Sequence, residues 1–129
     1  MLKLNKVAIV RGDKYLILKR SPNAVRFPNL WDFPGGRLEP DEKPEDGAIR
    51  EVKEETTIDV KIIKKLGAYE FDFDNLGKTS HQFSVYESEV IGDDEVVLSS
   101  EHSEYRWLTK EDVLKLQIQF FMVEFFKEF

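Results

Sequence analysis

The 129-residue chain contains no cysteine. This absence excludes disulfide bonds, cysteine-ligated zinc and a thiol nucleophile. It also fits a reducing compartment, so we expect a cytoplasmic protein. No apolar run approaches the roughly 18 residues that indicate a membrane-spanning helix. The N-terminus lacks the charged, apolar and cleavage-site regions of a secretory signal, so the sequence predicts neither a membrane protein nor a secreted one.

Basic residues are in the minority, with 19 Lys and Arg against 25 Asp and Glu and a net charge of −6. An acidic surface repels a phosphate polymer, so we do not expect DNA or RNA binding. A small phosphorylated ligand is still compatible with this charge, because a metal ion at one site can neutralise it. Hydrophobic residues make up 41% of the chain. This length and composition predict one folded domain over residues 1–129.

Proline is absent after Pro44, whereas the other prolines all lie within a short preceding segment. Together with a Gly-Gly pair they predict an irregular loop over Ser21–Pro40, and such loops often carry functional sites. The pattern beyond this loop predicts a helix over Asp41–Thr57, where Pro44 suits the first turn. A final helical segment is predicted over Lys110–Phe129.

Apolar runs with the composition of strands recur along the rest of the chain. They are Leu4–Val10, Tyr15–Leu18, Val60–Leu66, Ala68–Phe73, Gln82–Val90 and Tyr105–Leu108. The first two flank a turn at Gly12-Asp13 and therefore predict a β-hairpin. A second turn is predicted at Asn75–Gly77. Together the segments predict an α+β protein in which a curved mixed β-sheet is sandwiched between α-helices.

Three carboxylates of the predicted first helix, those of Glu51, Glu54 and Glu55, fall within an arc of about 100°. Ala48 and Val52 form an apolar stripe beside them, so the helix can pack on a sheet and hold the acidic cluster at its edge. Three like charges so close together repel one another. A hard divalent cation would relieve this, since Mg²⁺ binds carboxylates together with substrate phosphates. These residues alone also fit a solvated helix face.

The residues around this cluster follow a longer pattern. Gly36 is followed by five residues, Glu42, seven residues and then Arg50-Glu51-Val52-Lys53-Glu54-Glu55. This arrangement resembles the Nudix box, G-x5-E-x7-R-E-U-x-E-E-x-G-U, where U is a bulky aliphatic residue. At about 7% for each residue type, the fixed positions would match by chance roughly once in 10⁷ starting points. The preceding segment Trp31–Gly36 also resembles the approach to the box.

The chain departs from the box at one position. Thr57 precedes Ile58 at the point where the family pattern has glycine before an aliphatic residue. A glycine there would form a left-handed helix cap, and a β-branched residue tolerates a positive φ poorly. We therefore expect this helix to end differently.

The resemblance implies the Nudix fold and Mg²⁺-dependent hydrolysis of a nucleoside diphosphate derivative, with Mn²⁺ as a substitute ion. Glu51, Glu54 and Glu55 correspond to the family's metal-binding and catalytic glutamates. Among them Glu51 is our choice for the general base or a metal-bridging ligand. Arg50 corresponds to the arginine that orients these carboxylates, and Glu42 to the glutamate that supports the loop–helix arrangement.

Three further residues are candidates through the same resemblance. Gly36 starts the box, and the backbone carbonyl of Gly35 is a candidate metal ligand because adjacent glycines allow close approach. Glu101 lies six residues before Trp107, as a late metal-binding or base glutamate does in MutT-like relatives. By itself, Glu101 would be interpreted as an ordinary loop carboxylate. Its neighbour His102 is too far from the other histidine in sequence to suggest a metal pair.

Other side chains are candidates for contact with the substrate. They are Arg20, Trp31, Phe33 and Phe83. An arginine at a strand end binds phosphate or lies in solvent, and an aromatic ring stacks on a nucleobase or packs in the core. The aromatic C-terminal stretch has helical spacing, which predicts a helix docked on the sheet or, alternatively, a homodimer contact.

The leading hypothesis is a MutT-like pyrophosphohydrolase that cleaves a diphosphate linkage in a small nucleotide, either a nucleoside triphosphate or a related nucleoside diphosphate derivative. A hydrolase of ADP-ribose, a nucleotide sugar or a dinucleoside polyphosphate is the first alternative. A non-catalytic nucleotide-sensing module on the same fold is the second, although such a module would be expected to have lost carboxylates that are all present here. Because a fold does not determine a function, the enzyme hypothesis depends on that intact carboxylate set.

Overall fold

The computed structural model describes residues 1–72 and 80–129. Within these ranges the strands are β1 (Leu2–Ala8), β2 (Val10–Arg11), β3 (Lys14–Arg20), β4 (Trp31–Asp32), β5 (Gly35–Arg37), β6 (Asp59–Asp72), β7 (Ser80–Ile91) and β8 (His102–Thr109). The helices are α1 (Pro44–Thr56), α2 (Lys110–Val113) and α3 (Phe120–Glu128). None of the helices in this part of the chain is long and apolar enough to cross a membrane.

The strands form two sheets. In the first, with the order β5-β1-β7-β6, β1 runs parallel to β7, and the other neighbours are antiparallel. In the second, β3 pairs with β2, β4 and β8, all antiparallel. The mixture of strands and helices confirms the α+β class. The strands are divided between two sheets, however, where we had expected a single curved one.

Apolar side chains point alternately to the two faces of the central strands, so that a hydrophobic core forms on each side of the sheets. Ile17 of β3 points towards α3, whereas its neighbours Leu16 and Leu18 point towards α1. Successive side chains of a strand face opposite ways, so one strand serves both cores. On the α1 side, Ala48 and Val52 are fully buried, as the apolar stripe predicts. The helices thus cover both sides, which agrees with the predicted sandwich.

The predicted β-hairpin is wrong for most of its first strand, which does not pair with the second strand. β1 pairs with β5 and β7, and the pairing with β3 is confined to the two residues of β2 around Gly12. The chain passes from one sheet to the other at Ile9, whose carbonyl accepts a hydrogen bond from Leu16 at 2.9 Å. Because the alternating pattern is the same in either sheet, it does not identify the partner strand.

Two other predicted boundaries differ from the structure. Val60–Leu66 and Ala68–Phe73 belong largely to one strand, β6, whose register shifts at two irregular points. The final helical segment is divided between α2 and α3, because the chain between them bonds to Trp31: Trp31 donates to Gln117 O at 2.9 Å and accepts from Gln119 N at 3.0 Å. The turn predicted at Asn75–Gly77 lies outside the described residues.

The end of α1 corrects the prediction made for Thr57. This residue adopts the left-handed conformation with φ of 65°, and its amide donates to Lys53 O at 2.9 Å, as a glycine cap would do. The turn is supported by Thr56, whose hydroxyl donates to Val52 O at 2.7 Å and accepts from Ile58 N at 3.1 Å. These bonds and the burial of Ile58 hold a conformation that threonine disfavours.

Candidate active site

Arg50 organises the acidic edge of α1. Its guanidinium donates from Nε and Nη2 to the two oxygens of Glu42, at 2.8 and 3.0 Å. Its Nη1 donates to Glu51 Oε1 at 3.0 Å and to Glu54 at 3.3 Å. The hydrogen bond to Arg50 is the main reason that the pKa of Glu42 is lowered. One planar cation therefore fixes three carboxylates relative to one another, since its donors have a rigid geometry.

Glu51 lies against the backbone of Gly36. A β-carbon at Gly36 would come within 2.7 Å of Glu51 Oε2, so any other residue would displace this carboxylate. The Glu51 side chain is 17% exposed. Burial raises its pKa, the hydrogen bond from Arg50 opposes this rise, and the charges of Glu54 and Glu101 add to it. A partly desolvated carboxylate with a raised pKa is a better proton acceptor than one in open water.

Glu55 is the buried member of the cluster, with an exposed fraction of 4%. Its Oε1 accepts a hydrogen bond from the Gly35 amide at 2.8 Å. Gly35 has a φ of 129°, and a β-carbon there would clash with the backbone of β1, so this close approach requires glycine. Burial raises the pKa of Glu55 to about 8, and the positive charge of Lys6 opposes that rise.

Glu101 and His102 approach the cluster from the start of β8. Glu55, Glu101 and His102 each offer one ligand atom, and the three atoms lie within 4.8 Å of one another. Glu101 is exposed, and its backbone carbonyl accepts a hydrogen bond from Ser21 at 3.0 Å. Burial lowers the pKa of His102 to about 4, so this imidazole is neutral at physiological pH. The structure thus places Glu101 beside the box carboxylates.

The donor set fits a divalent cation. Glu55 is an acid in a buried position, where an ionised carboxylate is unfavourable without a counter-charge. Glu101 offers a second carboxylate oxygen within 4.8 Å of it, and Glu51 and Glu54 lie on the same helix. Hard cations take oxygen ligands. The Gly35 carbonyl, the other candidate ligand, accepts a hydrogen bond from Lys6 at 3.2 Å.

A cavity of about 530 Å³ opens beside Glu101. Arg20, Phe83 and Glu101 are among the residues that line it, which brings two of the predicted substrate contacts to the same space as the late glutamate. Phe27 adds a second aromatic side chain to its wall. The cavity has the size of a typical small-molecule site.

Two other predicted substrate contacts, Trp31 and Phe33, lie in the core instead. Phe33 is completely buried, and its ring packs edge-to-face against Phe125 at 5.5 Å between centroids. Trp31 is 5% exposed and lies under the Arg106 guanidinium, 4.8 Å from its ring centroid. Packing against α3 therefore explains why the sequence has an aromatic residue at Phe33. Its ring is not in a position to stack on a ligand.

Sequence reasoning missed the polar floor of the cavity. Lys6 and Asp32 form an ion pair of 2.8 Å there, with side chains 4% and 1% exposed. Gln119 lines the cavity beside them, and its Oε1 and Asp32 Oδ1 are buried without a hydrogen-bond partner in the described part of the chain. The only signal in the sequence was a lysine in the middle of an apolar strand.

A model of the NUDIX domain family matches residues 1–129. The chain belongs to the Nudix family. The resemblance of residues 36–58 to the Nudix box is thereby confirmed. Nudix hydrolases depend on a divalent metal ion, which agrees with the oxygen-rich donor set of this member.

Individual relatives support the same assignment. The chain is 33% identical over 106 residues to diphosphoinositol polyphosphate phosphohydrolase 3-alpha of Mus musculus, with 82% of this chain and 61% of that protein covered. It thus spans about three fifths of that relative. A stretch of 41 residues is 46% identical to a candidate 8-oxo-dGTP diphosphatase of Bacillus subtilis (strain 168), covering 32% of this chain and 28% of that protein.

A solved structure confirms the fold. The crystal structure of a MutT protein from Methanosarcina mazei Go1 matches with a TM-score of 0.86 and 31% identity, over 98% of this chain and 91% of that chain. The fold is therefore the Nudix fold that the box predicts.

Proposed function

We propose that this chain is a Mg²⁺-dependent hydrolase that cleaves a diphosphate linkage in a nucleoside triphosphate or a related nucleoside diphosphate derivative. One observation carries the proposal. Glu51, Glu54 and Glu55 share one edge of α1, where Arg50 bonds to the first two and the Gly35 amide bonds to Glu55. Glu101 offers a ligand atom within 4.8 Å of that of Glu55 and also lines a cavity. A carboxylate set of this kind next to a ligand-sized space fits metal-assisted phosphoric anhydride hydrolysis.

Glu51, Glu54, Glu55 and Glu101 are the residues that would hold the cation, together with the Gly35 carbonyl. When bound there, Mg²⁺, or Mn²⁺ in its place, would offset phosphate charge and acidify water. The burial of Glu55 supports this assignment, because a cation would replace the proton that this carboxyl otherwise retains.

Glu51 is the proposed general base. Its Oε1 is held by Arg50, while its Oε2 faces the Gly36 backbone, so the carboxylate has a fixed orientation. It would take the proton of the water that attacks the bridging phosphate, and its raised pKa suits this task. Arg50 and Glu54 complete the proposed catalytic set: Arg50 positions both carboxylates and Glu54 adds charge at the exposed side.

The cavity is the proposed nucleotide site. Arg20 would meet phosphate oxygens there, because a guanidinium binds them in a bidentate manner. Phe83 and Phe27 would pack against the base or sugar. The candidate 8-oxo-dGTP diphosphatase among the relatives supports a nucleoside triphosphate as the substrate.

A diphosphoinositol polyphosphate is a second candidate substrate. The relative from Mus musculus favours it, and so do the basic side chains of Lys6, Arg20, Arg26 and Arg37 around the cavity. Lys6, however, is already neutralised by Asp32. The aromatic wall also suits a base better than a ring covered with phosphates.

The proposal extends to the surroundings of the enzyme. We infer a cytoplasmic protein that acts on free small molecules and not on nucleic-acid polymers, which agrees with its net charge of −6. Phe120, Val123 and Phe129 of the C-terminal region are at least 40% exposed and are the proposed surface of a homodimer.

A substrate panel tests the proposed function. Purified protein would be incubated with Mg²⁺ and common or oxidised nucleoside triphosphates, ADP-ribose, nucleotide sugars, dinucleoside polyphosphates or a diphosphoinositol polyphosphate. We expect nucleoside monophosphate plus pyrophosphate from a triphosphate, and no products with EDTA. Turnover of the inositol compound alone would favour the second substrate. Binding without turnover of any member would identify a sensing module instead.

A further inference from the structure

The environment of His102 is unusual for a structural histidine. The residue is 6% exposed, and its Nδ1 is buried without a hydrogen-bond partner in the described residues. Buried polar atoms in proteins nearly always have a partner. Asp32 does not supply this partner: its Oδ2 bonds to Lys6 at 2.8 Å, and its Oδ1 also has no hydrogen-bond partner in the described residues. An unpaired ring nitrogen on a buried histidine that also offers a ligand atom near Glu55 and Glu101 therefore requires another explanation.

The position of the imidazole provides that explanation. The ligand atoms of Glu55, Glu101 and His102 lie within 4.8 Å of one another. Opposite ligands of a first-row cation are separated by roughly 4.2 Å, because each bond measures about 2.1 Å. Small side-chain adjustments would thus bring all three atoms into one coordination sphere. The hydrogen bond from Gly35 already fixes the Glu55 carboxylate for this arrangement.

We propose that His102 supplies an imidazole nitrogen ligand to a cation that Glu55 and Glu101 also bind. The inference rests on the proposed function, since it concerns the cation of that same site. It adds a nitrogen donor to a set that otherwise consists of oxygen atoms. Imidazole suits transition ions such as Fe²⁺, Ni²⁺ and Zn²⁺, whereas Mg²⁺ prefers oxygen ligands. The site therefore favours a first-row transition ion over Mg²⁺ more strongly than carboxylates alone would.

Pulsed electron paramagnetic resonance of the Mn²⁺-loaded full chain tests this coordination without an activity assay. We expect electron spin-echo modulation from a directly bound ¹⁴N nucleus. The pattern should change to that of ¹⁵N when the protein is made with ¹⁵N-histidine, a control that needs no mutation. His102→Leu should abolish the modulation, while His81→Leu, at the other histidine of the chain, should retain it.

Titration of the same variants with metal gives a second readout. Loss of a direct nitrogen ligand should weaken Mn²⁺ binding by about tenfold or more and Mg²⁺ binding by less. Mn²⁺ that binds in a Glu55-dependent manner but shows no histidine nitrogen would overturn the inference and leave the proposed function intact. Failure to bind Mn²⁺ and Mg²⁺ at all would overturn both.

Discussion

Two buried carboxylates experience opposite electrostatic conditions in this molecule. Asp32, in the floor of the cavity, is 1% exposed and accepts a hydrogen bond from the Lys6 ammonium at 2.8 Å. Glu55, on α1, is 4% exposed, and its Oε1 accepts a hydrogen bond from the neutral Gly35 amide. Burial raises the pKa of Glu55 to about 8. The cavity floor therefore contains its own counter-charge, whereas the edge of α1 is built to receive one from outside.

This difference in counter-charge gives the two carboxylates different roles: Asp32 forms a stabilising ion pair with Lys6, whereas Glu55 is able to bind a cation. A paired charge inside a protein resists removal of either partner, because the other is left buried and uncompensated. An acid without a cation retains its proton until a metal ion replaces it. Variants of these two groups and of the residues around them test this contrast.

Lys6→Met should leave Asp32 as an unpaired buried charge. We expect the free energy of unfolding to fall by about 3 kcal/mol or more, measured by urea denaturation. The double variant Lys6→Met/Asp32→Leu removes both charges and should recover much of that loss. If the single variant is as stable as the wild type, the pair does not have the stabilising role assigned to it.

Glu55 should make the stability of the metal-free protein depend on pH. The folded state keeps a proton on this carboxyl up to about pH 8, whereas the unfolded state releases it near the ordinary pKa of 4.5. The folded state binds more protons in this window, so stability falls as pH rises through it, by at most about 1.4 kcal/mol per pH unit. Denaturation at several pH values with EDTA measures this slope.

Two controls belong to that experiment. Glu55→Gln removes the titrating group and should flatten the pH dependence. Mg²⁺ binds the ionised carboxylate and should also flatten it for the wild type, because the cation stabilises the form that predominates at high pH. A slope that survives in Glu55→Gln would assign the effect to other groups.

Arg50→Lys should disturb the geometry of the acidic edge without removing its charge. A lysine ammonium does not reproduce the planar fork that bonds to Glu42, Glu51 and Glu54 together. We expect kcat/KM to fall by about 10- to 100-fold, since small displacements of catalytic groups have effects of this size. Lys53→Arg, a matched exchange on the exposed face of α1, should leave turnover unchanged.

The smallest effect concerns the far end of the same helix. Thr57→Gly should remove the strain of a β-branched residue in the left-handed conformation, and should stabilise the protein by about 1 kcal/mol. Thr57→Ala keeps the β-carbon, so its thermal unfolding midpoint (Tm) should not rise comparably. Activity should stay constant in both variants, because the carboxylate geometry does not depend on this cap. A loss of activity in Thr57→Gly would link the cap to the site.

The acidic edge could be predicted from the sequence because its geometry is local. Residues three and four positions apart on a helix lie on one face, so the placement of Glu51, Glu54 and Glu55 follows from their spacing alone. The box also singled out Arg50 and Glu42, but not the hydrogen bonds that join them in the structure. The arrangement of the three glutamates therefore required no knowledge of the tertiary structure.

The cavity floor could not be predicted, because its contacts join distant parts of the chain. Lys6 and Asp32 are 26 positions apart and meet only after β1 and β4 have found their partners. The alternating pattern of β1 fits more than one neighbour, which is why the hairpin prediction failed. Phe33 illustrates the same difficulty, since an aromatic residue in a loop segment fits both a core and a ligand site.

Comparison of Glu51→Gln with Glu111→Gln tests whether Glu51 acts as the general base of a metal-dependent hydrolase. Both replace a glutamate by its neutral isostere, but Glu111 is an exposed residue of α2 and is not one of the α1 glutamates. We predict that Mg²⁺-dependent turnover of a nucleoside triphosphate falls by about 10²- to 10⁴-fold in Glu51→Gln. The nucleotide should still bind, and Glu111→Gln should match the wild type. Equal turnover in all three proteins would contradict the account.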